Sequence, residues 1–411
     1  MPEHDFKLYK YRWVVLGIYI LISIVIEIQW LTFAPVASAA RAYYKATSLQ
    51  IDLLSMLYMI IFILFCIPAS YVIDTYGLKK GLWIGAVLTG IFGLLKGVFA
   101  SDYVMVLIAQ AGLAVAQPFI LHALTKIGAT WFPLGERATA AGLGTLAQYI
   151  GIILAMVLTP HLIASSGNGV FDLQPMLMIY GIASLAAASI FLVFMRDHPP
   201  TPPSASEDTR RSKVFEGMRS IFGNKDMLLM LGIFFLGLGM FNAISTCIEQ
   251  VCRRLTIEQA GLVGGIMFLG GIVGAVILPA VSDKVRRRKP VFVVCTIGML
   301  PGIIGLTVFS GYAPLLLSGF VFGFFMMSAG PIGFQYGAEL SRPAPESTAQ
   351  GLLLLAGQIS GILFVFAIDK AGVGLSMTAF IVMTAAIILF SLVMGESPMF
   401  QRAKGGPAER K

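Results

Sequence analysis

Five side chains in this sequence could recognise a polar or charged solute where water is scarce: Glu27, Trp30, Gln117, Asn242 and Gln358. Glu27 stands in the apolar run IYILISIVIEIQWL. A carboxylate there costs several kcal/mol unless it is paired, protonated or turned towards water. That makes Glu27 a candidate proton or cation site. Trp30 follows one helical turn later on the same face, and its ring could take a cation or sit in an interfacial aromatic belt. Gln117 lies seven residues after Gln110, so both occupy a similar helix face. Asn242 has Phe241 beside it, with Ser245 and Glu249 at i+3 and i+7. Amides inside membrane helices also bond neighbouring helices, at about 0.6 kcal/mol per contact, so each reads either as a solute contact or as helix glue. Lys96 and the His122/Lys126 pair read most simply as snorkelling or packing groups near helix ends. Nothing in this set suggests hydrolysis. No Gly-x-x-x-x-Gly-Lys-Ser/Thr loop occurs, so ATP is not the direct energy source. Cys66, Cys247, Cys252 and Cys295 lack metal-ligand spacing and read as packing residues. No enzyme activity, metal or other cofactor is expected.

The elements that must position these groups are membrane helices. Of the 411 residues 57% are hydrophobic and only 12% charged, far below the quarter charged of ordinary soluble domains. Apolar runs fall near 13–37, 51–73, 81–100, 103–127, 137–164 and 175–195. A second set falls near 227–250, 259–281, 290–309, 313–337, 347–368 and 374–395. Each reaches the roughly 20 residues needed to cross a bilayer core of about 30 Å. Continuous runs exclude a β-barrel, and backbone groups in lipid must be satisfied internally, so the runs are helices. The fold class expected is therefore an all-α membrane protein with twelve transmembrane helices. Its organisation is a six-helix bundle over 1–195, a polar linker over 196–226 with a short surface helix at 213–222, a second bundle over 227–395 and a tail over 396–411. The first run follows a long polar N-terminus without a small-residue cleavage site, so it reads as a retained span.

Lysine and arginine placement sets the orientation. With both termini in the cytoplasm, all of the 29 basic residues except Arg41, Lys45, Arg253, Arg254, Lys370 and the intramembrane Lys96 fall on the inner side. The net charge of +8 is thus topology and no footprint of nucleic acid.

A repeated motif marks the halves. After the second run comes Ser70-Tyr-Val-Ile-Asp74-Thr-Tyr-Gly77-Leu-Lys79-Lys80, and after the eighth Pro279-Ala-Val-Ser-Asp283-Lys-Val-Arg286-Arg287-Arg288-Lys289. An acid ends a helix and a basic cluster follows on the inner side. A carboxylate there can pair in one conformation and release in another, which makes Asp74, Gly77, Lys79, Lys80, Asp283 and Arg287 candidate gating residues. In this the sequence resembles the major facilitator superfamily, whose loops carry G-x-x-x-D-x-x-G-[RK]-[RK]. Ser70 replaces its first glycine, and Arg286 stands where the second copy usually has glycine. The resemblance implies two pseudo-symmetric six-helix bundles around a central substrate path.

Ala114-Val-Ala-Gln117-Pro118-Phe119 through Thr130-Trp131-Phe132-Pro133 to Glu136-Arg137-Ala-Thr-Ala, Pro345-Glu346-Ser-Thr-Ala-Gln-Gly351 leading to Gln358, Gln29-Trp30 and Asn242-Ala-Ile-Ser-Thr narrow the match. They resemble the haem/choline transporter branch, the feline leukaemia virus subgroup C receptor-related proteins. That resemblance implies a cage for a quaternary ammonium, with the tryptophan at Trp30 and glutamines at Gln117 and Gln358. The cage's second aromatic falls on Asn242, with Phe241 beside it, and Glu27 adds a negative charge. The expected function is alternating-access transport of a small cationic or amine-bearing solute by a monomer in the plasma (inner) membrane. A coupling proton at Glu27 is an added partner. The alternatives are an exporter of amphipathic compounds such as haem or drugs, using Phe241, Phe325 and Met326, and a non-transporting receptor of the same fold.

Overall fold

The computed structural model describes residues 8–133, 136–166, 170–201, 221–341 and 346–397. Most of the linker, including the greater part of the helix expected at 213–222, lies outside the described residues, as does the tail from 398. So does the side chain of Asp74.

Twelve helices among the described residues are long and apolar enough to cross a membrane. The first six are Tyr11–Tyr44, Ser48–Ile73, Leu78–Val98, Tyr103–Trp131, Thr139–Leu162 and Gln174–Phe194. The second six are Lys225–Thr246, Ile257–Val285, Lys289–Val308, Tyr312–Leu340, Ala349–Ala371 and Val373–Val393. They fall into two compact units, Met1–Asp208 and Thr209–Lys411.

Within each unit the helices pair in the same way. In the N-terminal unit the second and third spans pack on the fourth, the third on the sixth, and the first on the fifth, sixth and fourth. In the C-terminal unit the eighth and ninth pack on the tenth, the ninth on the twelfth, and the seventh on the eleventh, twelfth and tenth. The second and eighth spans also begin alike. Thr47 and Thr256 each cap a helix whose third residue, Gln50 or Gln259, returns the bond to the cap's backbone N–H. This reciprocal box satisfies two orphan donors at once.

Two spans depart from single straight helices. The first is helical over Tyr11–Leu31, breaks, passes through a short 3-10 turn at Ala34–Val36 with Pro35 at its start, and resumes over Ala37–Tyr44. The fourth holds Pro118, which cannot donate to the helix ladder, and gives way after Leu121 to a second helix, Ala123–Trp131. Both irregularities lie within a few residues of the groups singled out by sequence. A short antiparallel pair, Ala164–Ser166 with Val170–Asp172, joins the fifth and sixth spans.

Candidate functional site

Glu27 is 3% exposed, near the end of the first span's long helix. Gln117 reaches it from the fourth span, its Nε2 donating to Glu27 Oε1 at 3.3 Å. Gln117 is itself buried. Tyr19, Tyr58 and Tyr149 lie within electrostatic reach of the carboxylate. The Tyr58 hydroxyl is buried without a hydrogen-bond partner among the described residues. The fifth span closes on the carboxylate at Gly151, where an added Cβ would meet Ile24 O at 2.4 Å and Glu27 Cβ at 2.9 Å. Only glycine lets the two helices touch there. No lysine, arginine or histidine bonds to Glu27 among the described residues.

Trp30 is partly buried one turn beyond Glu27. Its indole Nε1 donates to Ser55 O at 3.3 Å, and Ser55 Oγ donates back to Trp30 O at 3.2 Å. This reciprocal pair ties the ring to the second span and leaves the rest of it to pack or to bind. Gln110, on the same face of the fourth span as Gln117, does something else. Its Nε2 donates to Gln29 O and Leu54 O, and its Oε1 accepts from Lys96 Nζ at 3.1 Å.

In the C-terminal unit, Asn242 and Gln358 come together where the seventh and eleventh spans meet. Asn242 is buried and its Nδ2 donates to Gly357 O at 3.4 Å. Gln358 is half-buried, and its Oε1 has no hydrogen-bond partner among the described residues. Phe241 packs edge-on against Phe268 at 5.2 Å and tilted against Phe322 at 6.3 Å, within the packing of the seventh, eighth and tenth spans. His122 stacks on Phe62 with ring centroids 5.6 Å apart, and Lys126 donates to Ile73 O at 2.7 Å at the end of the second span.

The repeated loops are built by acids the sequence reading did not single out. Gly77 has φ +100°, which disfavours any other residue, and a Cβ there would meet Asp197 Oδ2 at 3.1 Å. Asp197 accepts from the backbone N–H of Lys79 at 2.8 Å and so caps the third span; Lys79 and Lys80 point their side chains outward. In the C-terminal unit Glu396 accepts from the backbone N–H groups of Arg288 and Lys289, at 3.0 and 3.1 Å, and caps the ninth span. Both acids lie three residues past a helix end, at Phe194 and at Val393. That matched spacing is the signal by which the sequence could have revealed them. A carboxylate suits this place because the first turn of a helix offers unpaired N–H groups and the positive end of its dipole.

Asp283 pairs with Arg288 Nη1 at 2.5 Å. Arg287 bonds through its backbone N–H to Ser282 O. Arg288 also donates Nε to Glu339 at 3.3 Å, and Glu339 accepts from Ser397. Arg286 takes the left-handed conformation with φ +53°, the geometry that favours the glycine usual there.

The Major Facilitator Superfamily profile matches residues 19–365. The chain belongs to that family. It is therefore a multi-pass membrane transporter of small solutes and no enzyme. It is 30% identical over 393 residues to solute carrier family 49 member A3 from Xenopus tropicalis, covering 89% of this chain and 79% of that protein. It is 29% identical over 389 residues to the choline/ethanolamine transporter FLVCR1 from Felis catus, covering 90% and 69%. Among solved structures, an inward-facing, unoccupied bacterial homologue of the human lysosomal transporter Spinster superposes with a TM-score of 0.75 at 15% identity, covering 98% of this chain and 100% of that one. A D-xylose–proton symporter superposes with a TM-score of 0.71 at 16% identity, covering 94% and 99%.

Proposed function

We propose that this transporter carries a small organic ammonium solute by alternating access, with Glu27 as its charge partner and Trp30 as its aromatic face. One observation carries the reading: Glu27 is a buried carboxylate whose only hydrogen-bond partner among the described residues is the neutral amide of Gln117, with the tyrosines Tyr19, Tyr58 and Tyr149 near it. Such a group is stable when a proton or a cation meets it, and an ammonium meets it without help from water. The names of the relatives, choline/ethanolamine transporters among them, support the same solute class. Gln117 orients the carboxylate within the N-terminal unit, and Asn242 and Gln358 offer polar groups of their own within the C-terminal unit. Asn242 carries an amide and no ring, so the charge of Glu27 is the larger source of cation affinity in this reading. A ring contributes about 0.5–2 kcal/mol to a cation, less than a desolvated charge pair. Asp74, Gly77, Lys79, Lys80, Asp283 and Arg287 form the gating loops, and Arg288 is the residue paired with Asp283. The protein works as a monomer in the plasma (inner) membrane with both termini in the cytoplasm, the orientation its basic loops favour.

Uptake of labelled choline and ethanolamine into proteoliposomes tests this. Trp30→Ala, Gln117→Leu and Gln358→Leu should each impair uptake while the protein stays folded. Unchanged transport in all three removes the site. The same unpaired carboxylate favours a second role, in which Glu27 takes up a proton during the cycle. Glu27→Gln should then abolish accumulation driven by a pH gradient, and accumulation that persists rejects proton coupling.

A further inference from the structure

Lys96 is a charged side chain wholly withdrawn from solvent, at 0% exposure in the third span. No carboxylate pairs with it among the described residues. Its three donor directions are met by neutral groups: Gln110 Oε1 at 3.1 Å, Thr32 Oγ1 at 3.4 Å and the face of Phe33, whose centroid lies 5.4 Å away. An ammonium has three donors and no acceptor, so these contacts dictate how its partners turn.

The partners hold the end of the first span's long helix, one residue beyond Trp30. A helix end leaves its last four carbonyls unpaired. Here Thr32 Oγ1 donates to Ile28 O at 2.7 Å, Gln110 Nε2 donates to Gln29 O at 3.3 Å, and Ser55 Oγ donates to Trp30 O at 3.2 Å. Two of these three caps, Thr32 and Gln110, touch Lys96. Because Lys96 can only donate, Gln110 must turn its oxygen to the lysine and its NH2 to the helix. A cation also suits this place, since the carbonyl end of a helix carries the negative end of its dipole. Gln29 adds a brace on its own side, donating Nε2 to Tyr180 O at 3.1 Å and Ser184 Oγ at 2.8 Å.

We propose that Lys96 is a positioning residue for the solute site: acting through Gln110 and Thr32, it fixes the break in the first span and thereby the placement of Trp30. The inference rests on the reading of Trp30 as the aromatic face of that site. Lys96 touches no solute, and its loss acts at a distance. With an apolar residue at 96, Gln110 has a buried oxygen without a donor, its amide turns to satisfy it, and the carbonyls of Ile28 and Gln29 lose their fixed caps.

The test uses full-length protein in nanodiscs carrying Trp13→Phe, Trp83→Phe and Trp131→Phe, so that Trp30 alone fluoresces. In this background Lys96→Met should shift the Trp30 emission to the red and raise its quenching by acrylamide. Choline binding should weaken roughly tenfold, the order expected when a binding group is misplaced by a fraction of an ångström. Gln110→Glu guards against a Lys96→Met protein that does not fold. It keeps an acceptor for the lysine, now as an ion pair, and removes the donor to Gln29 O and Leu54 O, so it should fold and still change the Trp30 signal. Trp30 emission and quenching equal to the parent in folded Lys96→Met, or in Gln110→Glu where Lys96→Met does not fold, overturn the proposal. A changed Trp30 signal with choline binding unaltered supports the positioning role and rejects the ammonium reading of the site instead.

Discussion

The two units share one set of helix pairings and put their charges in different places. The N-terminal unit buries Glu27 and Lys96 inside its spans, one carboxylate and one cation, neither with an opposite charge as its partner among the described residues. At the corresponding pairing of its first two partner helices, the seventh and eleventh spans, the C-terminal unit holds neutral amides, Asn242 and Gln358. Its buried charges, Arg288 and Glu339, lie at the helix ends and neutralise each other. One packing plan therefore serves two tasks. Unpaired charge is unstable until a solute or proton completes it, which suits a binding site, while paired charge suits a latch.

Substitutions should separate these tasks. The largest effect is expected at the latch: Arg288→Met leaves Glu339 buried without its partner and should cost about 3–5 kcal/mol of stability. Thermal unfolding in detergent would show this as a marked fall in Tm. Glu27→Gln makes the opposite case, because it removes an uncompensated buried charge. Its Tm should hold or rise, and a fall as large as that of Arg288→Met would merge the two classes. Next in size, Trp30→Leu should weaken ammonium binding by about 0.5–2 kcal/mol, read as a rise in Kd, with Trp30→Phe retaining part of it. Asn242→Tyr should move the other way and tighten binding by up to a similar amount, as a ring takes the place of an amide. The smallest effect is at the loop. Arg286→Gly relieves a left-handed residue and should stabilise by about 1 kcal/mol, measured as a small rise in Tm.

Much of this comparison was legible in the residues themselves. Twelve spans follow from runs too long and too apolar to be anything else, and the family follows from the repeated Asp74 and Asp283 loops. Glu27 declared itself because a carboxylate has no cheap place in lipid. Lys96 did not, since a lysine near the end of an apolar run normally reaches for water along its own stem. What holds it inside is a break in another helix, and the sequence of the third span carries no trace of that break. The same holds for Gln110 and Gln117, whose seven-residue spacing places them on one face without saying that one holds a helix end and the other a carboxylate. Asp197 and Glu396 are end caps made across the fold, so only their matched positions after the sixth and twelfth spans hint at them. Arg288 and not Arg287 pairs with Asp283 because the left-handed turn at Arg286 rotates the cluster, a detail that spacing alone does not show.

The central claim is that the N-terminal unit recognises positive charge through Glu27. Equilibrium binding of labelled choline to the purified full-length protein, challenged with its uncharged carbon isostere 3,3-dimethylbutanol, tests it most directly. The isostere should fail to displace choline from the wild-type protein, and Glu27→Gln should bind choline at least about thirtyfold more weakly, a loss of about 2 kcal/mol. Displacement by the isostere at the same concentration as unlabelled choline, or an unchanged Kd in a folded Glu27→Gln protein, would contradict it.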